Sequence, residues 1–93
     1  MTTDFETIEK EKINSLHFPK ADVLDDKTDI NERTTALNRA LALGNLEHSK
    51  IKIFFEDDLS KKVVETTVWG VTDDRIILKK GFSIPINRIY KSF

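Results

Sequence analysis

The sequence contains no cysteine and few residues that commonly break helices and strands, with two prolines and three glycines among 93 residues. Without cysteine there is no disulfide framework, no thiolate nucleophile and no cysteine-ligated zinc site. No apolar run approaches the roughly 18 residues that a membrane-spanning helix needs. The opening residues MTTDFETIEK are acidic, whereas a secretory signal begins basic and continues apolar. We therefore expect one small cytoplasmic domain without a membrane span.

The charged side chains are unevenly divided along the chain, although the net charge is only −1. Residues 1–49 carry six basic and ten acidic side chains, whereas residues 50–93 carry nine basic and six acidic. A surplus of three positive charges in the second half is weaker than the basic footprint of a typical nucleic-acid-binding domain. It is enough for a local basic patch.

The first helical signal covers Asp4–Leu16. Thr3 and Glu6 have the spacing of a capping box, and the apolar residues that follow nearly share one helical face. The segment 17–28 has no clear periodicity and an acidic cluster, which predicts a connecting loop.

A second helix is predicted over Ile30–Leu43, where Asp29 begins another capping box and Gly44-Asn45 provides a typical helix stop. We accordingly divide the chain into two parts. Residues 1–28 are an N-terminal helix and acidic linker, which we expect to be dispensable for folding. Residues 29–93 are a helix followed by a small β-barrel domain.

From Ser49 onward the apolar pattern changes to a period of two, which is typical of strands. Gly70 is expected to bend the longest strand, and Pro85, which cannot donate a ladder hydrogen bond, marks an edge or break before a last strand at Ile89–Phe93. The predicted class is α+β, with N-terminal helices followed by a five-stranded antiparallel barrel. Its predicted core residues are Ile51, Ile53, Phe55, Val64, Val68, Ile77, Ile84, Ile86 and Ile89, with Leu37 and Leu41 covering one end.

This order of a helix and five strands, with a glycine in a bent second strand and a short turn before the fifth, resembles the Sm-like fold. The resemblance is carried by LNRALALGNLEHSKIKIFFEDD, TTVWGVTDDRIILKKG and IPINRIYKSF. The Asp-x-x-Met-Asn stretch of that family is absent, because the chain reads VTDDRIIL after Gly70. Pro85-Ile86-Asn87 stands at the corner where the family has Arg-Gly or Tyr-Lys-His. The resemblance implies a small SH3-like barrel and, for many members, RNA binding by a ring.

A second resemblance competes with the first. The stretch VTDDRIILKKGFSIPINRI is similar to strands of bacterial pleckstrin-homology-like domains, which have a basic hairpin and an Ile-Pro corner. This similarity implies a ligand-binding or membrane-surface module. A fold does not fix a function in either case.

Catalysis needs a nucleophile with a base, a metal cluster or a carboxylate pair in a pocket, and the sequence offers little of this chemistry. His17 and His48 lie in predicted loops and far apart in sequence. The pairs Asp57-Asp58 and Asp73-Asp74 lie in predicted turns, where aspartate is favoured for its bonds to the local backbone. We therefore expect no enzymatic activity, no metal site and no cofactor.

The candidate binding residues are basic and aromatic. Lys79 and Lys80 lie at a predicted hairpin tip, and Arg88 lies at the closing corner of the predicted barrel. Trp69 and Tyr90 alternate with predicted core residues, so both are candidates for exposure. An aromatic side chain beside a lysine pair is how small barrels hold single-stranded nucleic acid. In the simpler interpretation, Trp69 covers a second core and the lysines keep an edge strand soluble.

Three functional hypotheses follow. The preferred one is a non-catalytic cytoplasmic module that binds an unknown anionic partner, a nucleic acid or an acidic protein patch, through Lys79, Lys80, Arg88 and Tyr90. The second is an RNA-binding Sm-like homo-oligomer joined through barrel edge strands. The third is a pleckstrin-homology-like module for a ligand or a membrane surface.

Overall fold

The computed structural model describes residues 5–93, which form one α-helix, α1 (Lys27–Glu47), and seven short strands. The strands are β1 (Glu6–Thr7), β2 (Ile51–Glu56), β3 (Lys61–Thr66), β4 (Val68–Val71), β5 (Arg75–Leu78), β6 (Ser83–Pro85) and β7 (Ile89–Ser92). Short 3-10 helices cover Lys10–Ser15, Lys79–Gly81 and Ile86–Arg88. None of the helices within the described part of the chain is both long and apolar enough to cross a membrane.

The strands form two open sheets. The first has the order β1-β3-β2-β7, with β1 parallel to β3 and the other pairs antiparallel. The second is antiparallel in the order β4-β5-β6. The α+β class is confirmed, whereas two open sheets stand in place of the single five-stranded barrel that the sequence predicts.

The predicted long second strand changes sheet at Thr67, which separates β3 from β4. The register of β4 against β5 also shifts between Val68 and Gly70. The irregularity therefore adjoins Gly70, the residue at which the sequence predicts a bend. A Cβ atom added to Gly70 would lie 3.7 Å from Ile77, an ordinary contact, so this position has room for a small side chain.

Helix α1 is longer at both ends than the sequence predicts. The Asp26 side chain, not that of Asp29, caps it by accepting the Thr28 N–H at 2.7 Å. The helix continues through Gly44 and ends at His48, whose φ of 54° is left-handed and whose N–H bonds to the Gly44 carbonyl. Gly44 does not end the helix, and its role is to allow close packing. A Cβ atom there would lie 2.3 Å from the Val68 carbonyl oxygen, so glycine is what lets α1 lie this close to β4.

The helix predicted over Asp4–Leu16 is wrong for the described residues, and Thr3 and Asp4 lie outside them. Residues 6 and 7 form β1, and the Ile8 N–H donates to the Val63 carbonyl at 2.9 Å. A backbone group that pairs with β3 cannot take part in a helix, so tertiary pairing overrides the local capping signal. The 3-10 helix that follows places Ile13 in the core, where it is 2% exposed.

The core lies between the two sheets and α1, and most of its predicted members are buried. In β5 the pattern differs, because Ile76 and Leu78 are fully buried whereas Ile77 is half-buried. Three consecutive apolar residues give no alternation from which to choose a face. Ile86 and Leu41 are also only partly buried and pack against the edge of the core.

Candidate interaction face

The outer side of the first sheet is built by the alternation of β2. Ile51, Ile53 and Phe55 point into the core, so the side chains between them, Lys52, Phe54 and Glu56, point outward. The antiparallel register extends this face to β3, where Glu65 stands opposite Lys52, Val63 opposite Phe54 and Lys61 opposite Glu56.

Four aromatic rings cover the outer side of this sheet. The ring centroids of Phe5 and Phe54 are 5.0 Å apart, those of Phe5 and Tyr90 are 5.8 Å apart, and those of Phe54 and Phe93 are 5.6 Å apart. The planes of each pair cross at 78° to 84°, the edge-to-face geometry that aromatic pairs prefer. We call Phe5, Phe54, Tyr90 and Phe93 the aromatic face.

Two lysines lie over these rings. The Lys61 Nζ is 5.9 Å from the Phe5 centroid and 5.4 Å from that of Tyr90. The Lys91 Nζ is 5.2 Å from the centroids of both Phe54 and Phe93. These distances are within the range of cation–π attraction, so each ammonium is held against two rings.

Part of the aromatic face is open to solvent. Phe93 is 71% exposed, and Phe5, Phe54 and Tyr90 are half-buried. A contiguous exposed apolar patch on a small protein commonly marks an interaction site.

Tyr90 is fixed within this face by its hydroxyl, which donates to the Glu56 carboxylate. Burial is the main cause that raises the pKa of the Tyr90 hydroxyl to about 12, and the bond to the negatively charged Glu56 adds to it. The phenol therefore stays neutral and acts as a donor and a ring surface.

Arg88 does not lie on the surface where the sequence analysis places it. Its side chain is buried, and the residue is 7% exposed. The guanidinium donates to the backbone carbonyls of Glu56 at 3.1 Å, Ala21 at 2.7 Å and Asp57 at 3.3 Å. Arg88 thus links two loops inside the molecule, and a partner cannot reach it.

Lys79 and Lys80 are exposed in a 3-10 turn, where Lys80 and Gly81 both have positive φ. The Lys79 N–H donates to the Thr67 carbonyl at 3.0 Å, which sets this turn beside the start of β4, and Trp69 in β4 is 52% exposed. The structure therefore brings the lysine pair and Trp69 to one end of the second sheet, whereas Tyr90 belongs to the first.

Sequence reasoning missed Phe5, Phe54 and Phe93 as surface residues. The alternation of β2 carried the signal for Phe54, because its neighbours Ile53 and Phe55 were both assigned to the core. Phe5 gave no such signal, since only the pairing of β1 with β3 brings it to this sheet.

A groove of about 620 Å³ lies at the corner formed by Pro85, Ile86 and Asn87. One charged pair in its walls is already engaged. The Arg33 guanidinium donates to both Asp22 carboxylate oxygens, at 2.8 and 2.9 Å, and this bond is the main cause that holds the pKa of Asp22 below its ordinary value. The remaining wall residues are Phe18, Pro19, Lys20, Asp73, Asp74 and Arg75.

Among residues 5–93, Ser60 and Lys62 form a contact that resembles a nucleophile beside a base, with Lys62 Nζ 2.6 Å from Ser60 Oγ. Lys62 also bonds to the buried carboxylate of Asp57 at 3.0 Å. That ion pair neutralises the ammonium and stabilises the turn, so the contact is structural. Within residues 5–93 no group of three or more histidine or acidic side chains is placed to hold a metal ion.

No protein-family model matches this chain, and no curated protein or solved structure is significantly similar to it.

Proposed function

We propose that this chain is a non-catalytic cytoplasmic module that binds a protein partner through the aromatic face. The observation that carries the proposal is the row of four rings on the outer side of one sheet, ending in the 71% exposed Phe93. Protein interfaces have cores enriched in aromatic residues and rims of charged and polar residues. Lys52, Glu56 and Glu65 supply such a rim here.

The charge of the face favours a protein over a nucleic acid. Its outward side chains include Lys52, Lys61 and Lys91 against Glu56 and Glu65, a small surplus on a chain whose net charge is −1. Stacked bases also need free ring faces. The ammonium groups of Lys61 and Lys91 lie over these rings and compete for that position.

We further propose that the fold is related to the Sm-like small barrel. The strand order supports this relation, because β7-β2-β3 and β4-β5-β6 are the two halves expected of a barrel whose long second strand is split at Thr67. The single 3-10 turn between β6 and β7 also supports it. A related fold by itself is not evidence that this chain binds RNA.

An RNA-binding ring is the second candidate function, and Lys79 and Lys80 beside Trp69 favour it. A ring joined through strand edges needs free backbone groups on β7, an edge strand of the first sheet. Arg33 donates to the Ile89 carbonyl of this strand at 3.0 Å, so one of those acceptors is already occupied. This contact makes the ring the weaker candidate.

The test compares partners recovered by affinity capture with the wild-type protein and with the double variant Phe54→Ser/Phe93→Ser. We expect the double variant to lose the specific protein partners, because it removes the centre and the exposed end of the row. Leu46→Ser is the matched control, since Leu46 is 81% exposed on α1 and lies outside the face.

Circular dichroism must show that each variant remains folded. Equal recovery of the same partners by the wild type, the double variant and the control would refute the proposal. Recovery that disappears after RNase treatment, or with Lys79→Glu/Lys80→Glu, would favour the RNA candidate instead.

A further inference from the structure

We infer that the partner of the aromatic face is a second copy of this chain, which packs sheet against sheet as a two-fold symmetric dimer. This inference rests on the proposed function of that face as a protein-binding surface and goes further by naming the partner. Charges and side-chain sizes are distributed over β2 and β3 in a pattern that fits such a dimer.

Four charges stand at the corners of a rectangle on the outer side of the sheet. Lys52 and Glu65 are opposite each other at one end of the β2–β3 pair, and Glu56 and Lys61 are opposite each other at the other end. Like charges therefore lie on the diagonals. Phe54 and Val63 occupy the middle of the rectangle.

Such a pattern is complementary to itself. A two-fold axis that runs parallel to the strands, midway between β2 and β3, places β2 of one copy over β3 of the other. Lys52 then faces Glu65 of the second copy, and Glu56 faces Lys61. Opposite charges meet at all four corners. An in-plane two-fold axis perpendicular to the strands would also pair opposite charges, Lys52 with Glu56 and Glu65 with Lys61, so charge alone does not choose between these two axes.

The same axis also matches side-chain sizes. It places the large Phe54 ring over Val63 of the second copy, which is smaller and only 9% exposed, so that no two large rings collide at the centre of the contact. An axis perpendicular to the strands would set Phe54 against Phe54 in the middle of the contact. We therefore assign the axis that is parallel to the strands.

Two of the corner charges are available for such contacts. Lys52 and Glu65 are both exposed, and neither belongs to the ion pairs formed within residues 5–93. Opposite charges on facing copies would give each of them a partner. The contact would remove these two charge pairs from water, and charge pairs within an interface contribute to its specificity.

The size of the face sets the strength of the dimer. Four strands about 4.8 Å apart and six residues long at about 3.3 Å each give at most roughly 19 × 20 Å, or roughly 400 Å² in projection. A standard interface buries about 800 Å² per partner. We therefore expect a weak dimer that exchanges with monomer and forms at high protein concentration.

Sedimentation equilibrium over a range from micromolar to millimolar protein tests the inference on the full chain. The wild type is expected to show a monomer–dimer equilibrium. Lys52→Glu places two like charges at each of two corners of the symmetric contact, and we expect it to weaken dimerisation by about tenfold or more. The double swap Lys52→Glu/Glu65→Lys restores opposite charges across the assigned axis, and we expect it to recover most of the wild-type affinity.

Lys79→Glu is the matched control, because it makes the same change of charge in the second sheet and leaves the face intact. It is expected to dimerise like the wild type. A wild type that stays monomeric throughout, or a double swap as weak as Lys52→Glu alone, would overturn the inference.

The outcome separates this inference from the proposed function. A monomeric wild type whose protein partners are still lost with Phe54→Ser/Phe93→Ser would refute the dimer and retain the protein-binding face. A dimer whose affinity is unchanged by that double variant would show that self-association uses another surface, and it would refute the inference.

Discussion

Asp57 stabilises the turn that connects β2 and β3. The residue is 1% exposed, and its Oδ1 accepts the N–H groups of Leu59 and Ser60 at 3.1 and 2.9 Å and the Lys62 ammonium at 3.0 Å. Burial by itself raises the pKa of this carboxyl, but the three donors outweigh burial and leave the pKa below its ordinary value.

The lowered pKa of Asp57 gives stability a definite dependence on pH. The unfolded chain binds the proton more tightly than the folded one, so the contribution is fully present above the unfolded pKa of about 3.9. It is lost as the pH falls through the folded value. Asp22, whose pKa is also lowered, contributes with the same sign.

We predict that Asp57→Asn lowers the free energy of unfolding by about 3–5 kcal/mol, because it leaves the buried Lys62 ammonium without its counter-charge. Urea denaturation at neutral pH measures the loss. The loss should shrink as the pH falls below about 3.9, because the unfolded wild-type chain then takes up a proton that the folded carboxyl binds less tightly. Asp58→Asn is the control, since Asp58 is exposed, and it should change stability by no more than about 0.5 kcal/mol. Equal urea midpoints for Asp57→Asn and the wild type would contradict the role assigned to this ion pair.

Gly44 and Gly70 differ in the space around them, so we expect the same substitution to have different effects on stability at the two positions. We expect Gly44→Ala to cost about 1–3 kcal/mol, because its Cβ meets the Val68 carbonyl and α1 must move away from β4. Gly70→Ala meets Ile77 at an ordinary distance and should be neutral or slightly stabilising. Thermal unfolding compares the two directly, and a similar midpoint for both variants would show that α1 tolerates the added methyl group.

At the scale of elements, the N-terminal segment is part of the fold and not an appendage. Ile13 is in the core, the Asp58 N–H donates to the His17 carbonyl, and the Val23 N–H donates to the Asn87 carbonyl. These contacts join three separate regions of the chain. They count against the expectation, drawn from the sequence, that residues 1–28 are dispensable, and deletion of the segment tests it.

We therefore predict that Ile13→Ala lowers stability by about 2–5 kcal/mol, the usual cost of removing a large buried aliphatic side chain. Asn14→Ala, in the same 3-10 helix but exposed, is expected to change it by about 0.5 kcal/mol or less. Deletion of residues 1–28 should abolish cooperative unfolding in urea. A truncated protein with a sharp transition near that of the wild type would restore the original expectation.

The elements that the sequence predicts well are those with clear periodicity. The middle of α1 follows from its helical spacing, and β2 follows from its strict alternation. The break at Thr67 has no local signal, because Thr66, Thr67 and Val68 are all β-branched and equally suited to a strand. The capping box at the N-terminus is a genuine local signal that a distant strand overrides.

The residues of the candidate site also divide into those with a local sequence signal and those whose placement depends on tertiary contacts. Tyr90 could be anticipated as a surface ring, because it alternates with the buried Ile89. Arg88 could not be recognised as buried, since the carbonyl groups that accept its hydrogen bonds belong to two loops far away in sequence. The local sequence pattern indicates which side of a helix or strand a residue faces. What covers that side depends on tertiary contacts, which the pattern does not contain.

For the whole molecule, the parallel pairing of β1 with β3 determines when folding can be completed. Glu6 lies opposite Lys62, and Ile53 lies opposite Ser92, so both edge strands of the first sheet are set by contacts between distant parts of the chain. Residues 5–16 precede β3 in the chain and can find their binding site only after β3 has been made. The other edge of the sheet forms only when β7 is also available. Because segments far apart in sequence must meet before these contacts form, we expect refolding to be slow, in milliseconds to seconds and not in microseconds.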